Sequence, residues 1–195
     1  MRENKIDYKR SALLIIDVQR YFFDPDGGAF LEGAPAILPN ILKLIAAFRA
    51  AGLPVAFTRQ AHRKGEPTGQ MGRWWNDKLP WDGTPDAELI RELAPKDGDF
   101  LIAKTSYSAF EGTRLEEHLR KNGVTTTVIC GVMTNLCVET TARHAFIRDF
   151  QPAVVEDACA ANTPEHHRAS ILNLSYGFAF IEKTDGLIAK LLSLQ

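Results

Sequence analysis

Cysteine is scarce in this chain of 195 residues, with three at positions 130, 137 and 159. An odd number at irregular spacing makes no disulfide framework, and without a Cys-x-x-Cys pair it spells neither a dithiol redox motif nor a zinc knuckle. An excess of charge of either sign is missing too. The 23 Lys and Arg nearly balance the 24 Asp and Glu, for a formal net charge of −1, and no charged block stands out. A nucleic-acid or anionic membrane surface therefore has no electrostatic support. No run approaches the roughly 18 uninterrupted apolar residues of a membrane span, and Met1–Arg10 is polar rather than leader-like. These absences predict a cytoplasmic protein with neither a nucleic-acid nor a membrane partner. No internal repeat or linker divides the chain, so one domain over 1–195 is expected.

Hydrophobic residues make up 45% of the sequence, and a chain of this length can bury roughly 70% of its unfolded surface. Ser11–Asp17 (SALLIID) is a continuous apolar run ending in an acid, as in a strand buried on both faces. Ile37–Ala51 repeats apolar residues at helical spacing and stops at Gly52. Strands are predicted over Leu53–Thr58, Phe100–Ala103, Val124–Gly131, Pro152–Glu156 and Tyr176–Ile181. Helices are predicted over Arg114–Lys121, where Thr113 and Glu116 form a capping-box pattern, over Thr134–Asp149, from Thr163–Pro164 onward and at the C-terminus. Strands alternating with helices imply an α/β fold, a doubly wound, mainly parallel sheet with helices on both faces. The long stretch Arg63–Pro85 carries Trp74, Trp75 and Trp81 and is expected to be functional or an interface element.

Open parallel sheets place their sites beyond the carboxyl ends of the strands. There this sequence puts Asp17, Lys104 and the segment Gly131–Cys137: an acid, a cation and a thiol. Cys137 is expected in the first turn of a helix, where unpaired N–H groups and the helix dipole favour a thiolate, as would Lys104. Asp17 can then accept the thiol proton and return it to a leaving amine. Each residue also has a plainer reading: a small buried hydrophobe for the cysteine, a turn former for the aspartate, a solvated side chain for the lysine. Cys130 and Cys159 keep that plainer reading.

The segments LLIIDVQRYF (Leu13–Phe22), KTSYSAFEGT (Lys104–Thr113), GVMTNLCVETTARHAF (Gly131–Phe146) and VVEDACAA (Val154–Ala161) resemble the isochorismatase-like cysteine hydrolases, in order, from about Ser11 to the end. The resemblance implies a six-stranded parallel sheet and a catalytic Asp17, Lys104 and Cys137. It also implies a cis peptide at Val132–Met133 and an oxyanion hole from the N–H groups of Met133 and Cys137. It suggests a homodimer or homotetramer. Isochorismatases proper typically lack the nucleophilic cysteine. Nicotinamidases carry an Asp-x-His metal motif after the second strand, where this chain has Thr58-Arg59-Gln60-Ala61-His62. With Gln60 in place of the acid and His62 without a close second histidine, no metal and no cofactor is expected.

The TRQAHR segment and the tryptophan-bearing loop look more like the N-carbamoylsarcosine amidase and ureidoacrylate amidohydrolase branch. The implied reaction is release of ammonia from a small amide, ureido or carbamoyl acid through an acyl-thioester. Tyr21, Phe22, Trp74, Trp75, Tyr107 and Phe110 are candidates to wall the substrate pocket, with packing in the core or at a subunit interface as the alternative. Arg59 and His62 are candidates to bind a substrate carboxylate, with a surface Arg and a capping His as the alternative. His166 and His167 are expected on a helix surface, and Glu139 with Arg143 as an i,i+4 pair or an intersubunit contact. Three rival readings stay open: an ether, ester or C–C hydrolase on the same pocket, a peroxide-reactive sensor thiol at Cys137, and a binding subunit that keeps the three residues without catalysis.

Overall fold

The computed structural model describes residues 6–193. Strand β1 (Ser11–Ile16) is buried along its whole length, as a run without polar alternation requires when both faces are covered. A single helical turn, α1 (Arg20–Phe23), precedes α2 (Ala34–Ala50). Helix α2 starts three residues ahead of the expected boundary and buries Ile37, Ile41, Leu44, Ile45 and Phe48, the i, i+4, i+7, i+8 stripe of a helix lying on a sheet. Truncating the fully buried Phe48 to alanine would cost about 3–5 kcal/mol.

Strand β2 (Val55–Gln60) follows, then α3 (Gly69–Trp75), a short helix inside the long tryptophan-bearing stretch that left-handed Asn76 ends. Next come β3 (Phe100–Lys104), α4 (Leu115–Lys121), β4 (Thr126–Val132), a π-helical turn (Thr134–Val138) and α5 (Glu139–Ile147). Strand β5 (Gln151–Ala160), α6 (Pro164–Gly177), β6 (Phe180–Glu182) and α7 (Thr184–Leu192) complete the chain.

All five strand pairings are parallel, in the order β3-β2-β1-β4-β5-β6. The direction of winding reverses between β1 and β4, which opens a crevice at their carboxyl ends. Strand β1 and its neighbour β4 lie at the centre, and all of their side chains are buried.

Several boundaries differ from expectation for identifiable reasons. Strand β5 runs on to Ala160 because, past a register shift, Gly131 and Val132 pair with Cys159 and Ala160. Tyr176 belongs to α6, so β6 begins only at Phe180. The capping box at α4 does not form. The Thr113 hydroxyl accepts from Leu115 N at 3.2 Å, while Glu116 pairs with Arg120 and Arg148.

Candidate active site

Asp17 is the first residue beyond β1, and its backbone is left-handed, with φ 50°. That conformation is uncommon for a residue with a side chain, and Asp is among the few that tolerate it. The turn is anchored by Thr58 on β2: Asp17 N donates to Thr58 O at 3.2 Å and to Thr58 Oγ1 at 3.1 Å. The Thr58 hydroxyl in turn donates to Asp17 Oδ1 at 2.6 Å. The second carboxylate oxygen, Oδ2, receives Lys104 Nζ at 2.7 Å, in an ion pair whose two side chains have no solvent exposure.

Lys104 is the last residue of β3 and reaches across the end of β2 to meet β1. Its ammonium has three donors, and each has a partner: Asp17 Oδ2, Ser106 O at 2.9 Å and Cys137 Sγ at 3.4 Å. Burial works to lower the Lys104 pKa, the charge of Asp17 beside it works the other way, and the net direction is above the ordinary lysine value. Lys104 is thus a permanent cation.

Cys137 reaches the same point from the other side of the crevice. Strand β4 comes so close to β1 at Gly131, with φ 112°, that a Cβ there would lie 2.1 Å from Ile16 O. Only glycine fits. The peptide Val132–Met133 is cis, and the chain then winds through the π-helical turn, in which Val138 N donates to Met133 O at 3.2 Å. Cys137 therefore sits in a π-helical turn rather than in the first turn of an α-helix.

The expectation of a lowered thiol pKa is overturned. Burial pushes Cys137 up to about 12, against the pull of the Lys104 ammonium, and the charge and hydrogen bond of Asp17 act in the same direction as burial. The sulfur holds its proton at neutral pH and has a carboxylate beside it to take that proton. Acid, cation and thiol form one buried cluster, as their placement at strand ends led one to expect.

The cluster lies at a cavity of about 1040 Å³, whose lining includes Cys137 and Met133. Phe22, Trp74, Trp75 and Tyr107 line it as anticipated, with Tyr21. Trp75 Nε1 donates to Tyr107 OH at 2.8 Å, which ties α3 to the loop after β3. Three candidates are not in the wall. Phe110 is buried in the core, its ring centroid 5.8 Å from that of Phe150 and covered by the Arg148 guanidinium. Arg59 pairs with Asp82 at 2.9 Å, so its charge is already matched. His62 is 3% exposed, edge-on to Trp81, with Nε2 3.4 Å from Gln60 Nε2.

Thr58 and Gln60 carry roles in the site that went unassigned from the sequence, although both stand in the TRQAH segment at the end of β2. Asn135, Met71 and Lys78 also line the cavity, as does His166. His167, expected at a surface, is half-buried with Nδ1 2.9 Å from Thr134 Oγ1, where it braces the π-helical turn. Glu139 and Arg143 do pair, at 2.6 Å, and Glu139 also accepts from Ser170 at 2.6 Å.

No group of three or more His, Cys, Asp or Glu side chains among the described residues could hold a metal ion. At the end of β2 the donors are an amide and one imidazole, a set that does not fit a divalent cation wanting three or four ligands.

A parallel sheet wound from β1 in both directions, with acid, lysine and cysteine meeting at its switch point, defines a class of hydrolase. The isochorismatase domain family matches residues 11–185, and the chain belongs to it. Over 193 residues it is 41% identical to Nicotinamidase 3 of Arabidopsis thaliana, covering 98% of this chain and 93% of that protein. It is 32% identical over 199 residues to the ureidoacrylate amidohydrolase RutB of Methylobacterium radiotolerans, covering 90% and 77% respectively. A crystal structure of a cysteine hydrolase from Pseudomonas syringae pv. phaseolicola matches with a TM-score of 0.93 at 31% identity, over 97% of this chain and 96% of that one. Similarity thus extends to a nicotinamidase as well as to the ureido branch, even though Gln60 stands where the Asp-x-His motif has its acid.

Proposed function

We propose that this protein is a cysteine-dependent amidohydrolase that releases ammonia from a small amide, ureido or carbamoyl compound. The observation that carries the reading is Lys104 Nζ, fully buried, 2.7 Å from Asp17 Oδ2 and 3.4 Å from the Sγ of Cys137, which lines the cavity. The names of the relatives, a nicotinamidase and a ureidoacrylate amidohydrolase, support cleavage of a C–N bond.

Asp17 takes the thiol proton as the sulfur attacks the carbonyl carbon, so a buried acid forms where a buried carboxylate stood. Charge moves from oxygen to sulfur without leaving the reach of Lys104. The carbonyl π pair moves onto oxygen, and the N–H groups of Met133 and Cys137 are assigned to bind that oxyanion. As the oxygen re-forms its double bond, the C–N bond breaks and Asp17 protonates the departing nitrogen as ammonia. Water, deprotonated by Asp17, attacks the acyl-thioester; sulfur leaves and recovers its proton. The carboxylic acid or carbamic acid so formed diffuses out.

The raised thiol pKa favours this reading over a peroxide-sensing thiol, which needs a standing thiolate. The pairing of Arg59 with Asp82 removes the guanidinium assigned to a substrate carboxylate. Among the described residues, Lys78 is the one Lys, Arg, Asp or Glu that lines the cavity. Incubation with a panel of primary amides and ureido compounds, with ammonia measured, tests the function. Cys137→Ala should abolish release while the protein stays folded, and undiminished ammonia from that variant would refute the mechanism.

A further inference from the structure

Gln60 has a structural role that the reaction above leaves unused. It ends β2 beside Lys104, its register partner on β3, and lateral neighbours in a parallel pair project to the same side of the sheet. Its backbone is clamped by the fully buried side chain of Gln19: Gln60 N donates to Gln19 Oε1 at 2.7 Å, and Gln19 Nε2 donates to Gln60 O at 2.9 Å. Its side chain is tethered at one end, with Nε2 3.4 Å from His62 Nε2. Burial and the charge of Lys104 lower the pKa of His62, with Asp77 opposing. A neutral imidazole with its proton on Nδ1 accepts that N–H.

What remains is Gln60 Oε1. No described residue donates to it, yet it is not sealed off, in contrast to Asn135 Oδ1. Gln60 is 5% exposed and belongs to the cavity wall. A buried carbonyl oxygen with one open side and no partner carries a desolvation cost that a ligand N–H would relieve.

We propose that Gln60 is a specificity-determining residue whose Oε1, oriented by His62, accepts a hydrogen bond from an N–H of the scissile amide, so that the site prefers amides to the matching esters. This rests on the amidohydrolase reading for its chemistry, but a binding measurement can fail independently of turnover. In the Cys137→Ala background, benzamide and methyl benzoate are titrated by quenching of tryptophan fluorescence, since Trp74 and Trp75 line the cavity. Gln60→Leu should weaken benzamide binding by about tenfold, the equivalent of one hydrogen bond, and leave methyl benzoate within twofold. His62→Leu should shift benzamide in the same direction by a smaller factor. Equal changes for the two ligands, no change for either, or no binding of either to the parent would overturn the assignment. Ammonia release by the unmutated chain separately decides the amidohydrolase reading: its absence, with the selective loss still seen, would remove that reading and leave Gln60 as an N–H acceptor.

Discussion

Replacing Lys104 by methionine removes a charge and three donors while filling nearly the same volume. The ammonium lies 2.7 Å from a carboxylate with which it shares complete burial, and it also caps Ser106 O at 2.9 Å. Without it, Asp17 keeps its hydrogen bonds with Thr58 and Cys137 but loses its cationic partner, and its charge is stranded in the interior. Breaking such a pair from one side costs about 3–5 kcal/mol, a large share of the roughly 5–15 kcal/mol that holds a domain folded. For a chain of this size that is a fall in Tm of roughly 6–20 °C.

Urea denaturation of wild type and Lys104→Met at pH 7 should show this loss directly. Lys104→Met combined with Asp17→Asn should recover much of the stability, and none of the activity. A cost below about 1 kcal/mol would show that the pair is not the buried ion pair described here.

The other predictions concern the thiol and the threonine behind the acid. With burial and Asp17 pushing its pKa up to about 12, Cys137 should be far less ionised at pH 8 than a free cysteine, of which roughly a quarter is thiolate. Iodoacetamide labelling of the substrate-free protein should accordingly be slow at pH 8, and labelling as fast as free cysteine would refute the assignment. Because folding raises the pKa of this thiol, the unfolded chain loses its proton first, from about pH 8.5 upward. Stability measured in urea should therefore decline across that window toward pH 12, and Lys104, also raised, adds loss in the same direction above about pH 10.4. Thr58→Val removes the 2.6 Å hydrogen bond to Asp17 Oδ1, worth about 1.5–3 kcal/mol when the acceptor is charged. It should lower kcat by roughly ten- to a hundredfold with little change in KM, and a change confined to KM would place Thr58 in substrate binding instead.

The elements of the sheet were legible because each carries a local signature. SALLII is apolar without alternation, and a strand covered on both faces needs nothing else. The stripe Ile41, Leu44, Ile45, Phe48 has one face as a helix and none as a strand. The carboxyl-end rule then collected Asp17, Lys104 and the Cys137 segment at one edge before any contact was known. Readings of individual side chains fared differently. Arg59 sits next to Gln60 in sequence, yet one is tied to Asp82 and the other lines the cavity. Phe110 and Tyr107 lie three apart, yet only Tyr107 faces the site.

The sequence by itself determined the alternation of strands and helices and the three chemically active groups at the strand ends, because hydrophobic period and chain punctuation act over a few residues. The tertiary structure alone decided that the Cys137 sulfur keeps its proton, that Thr58 holds the acid and that Gln60 is left with an open oxygen. Desolvation and hydrogen-bond partnership are set by what surrounds an atom in space, and those surroundings come from strands that are tens of residues apart along the chain.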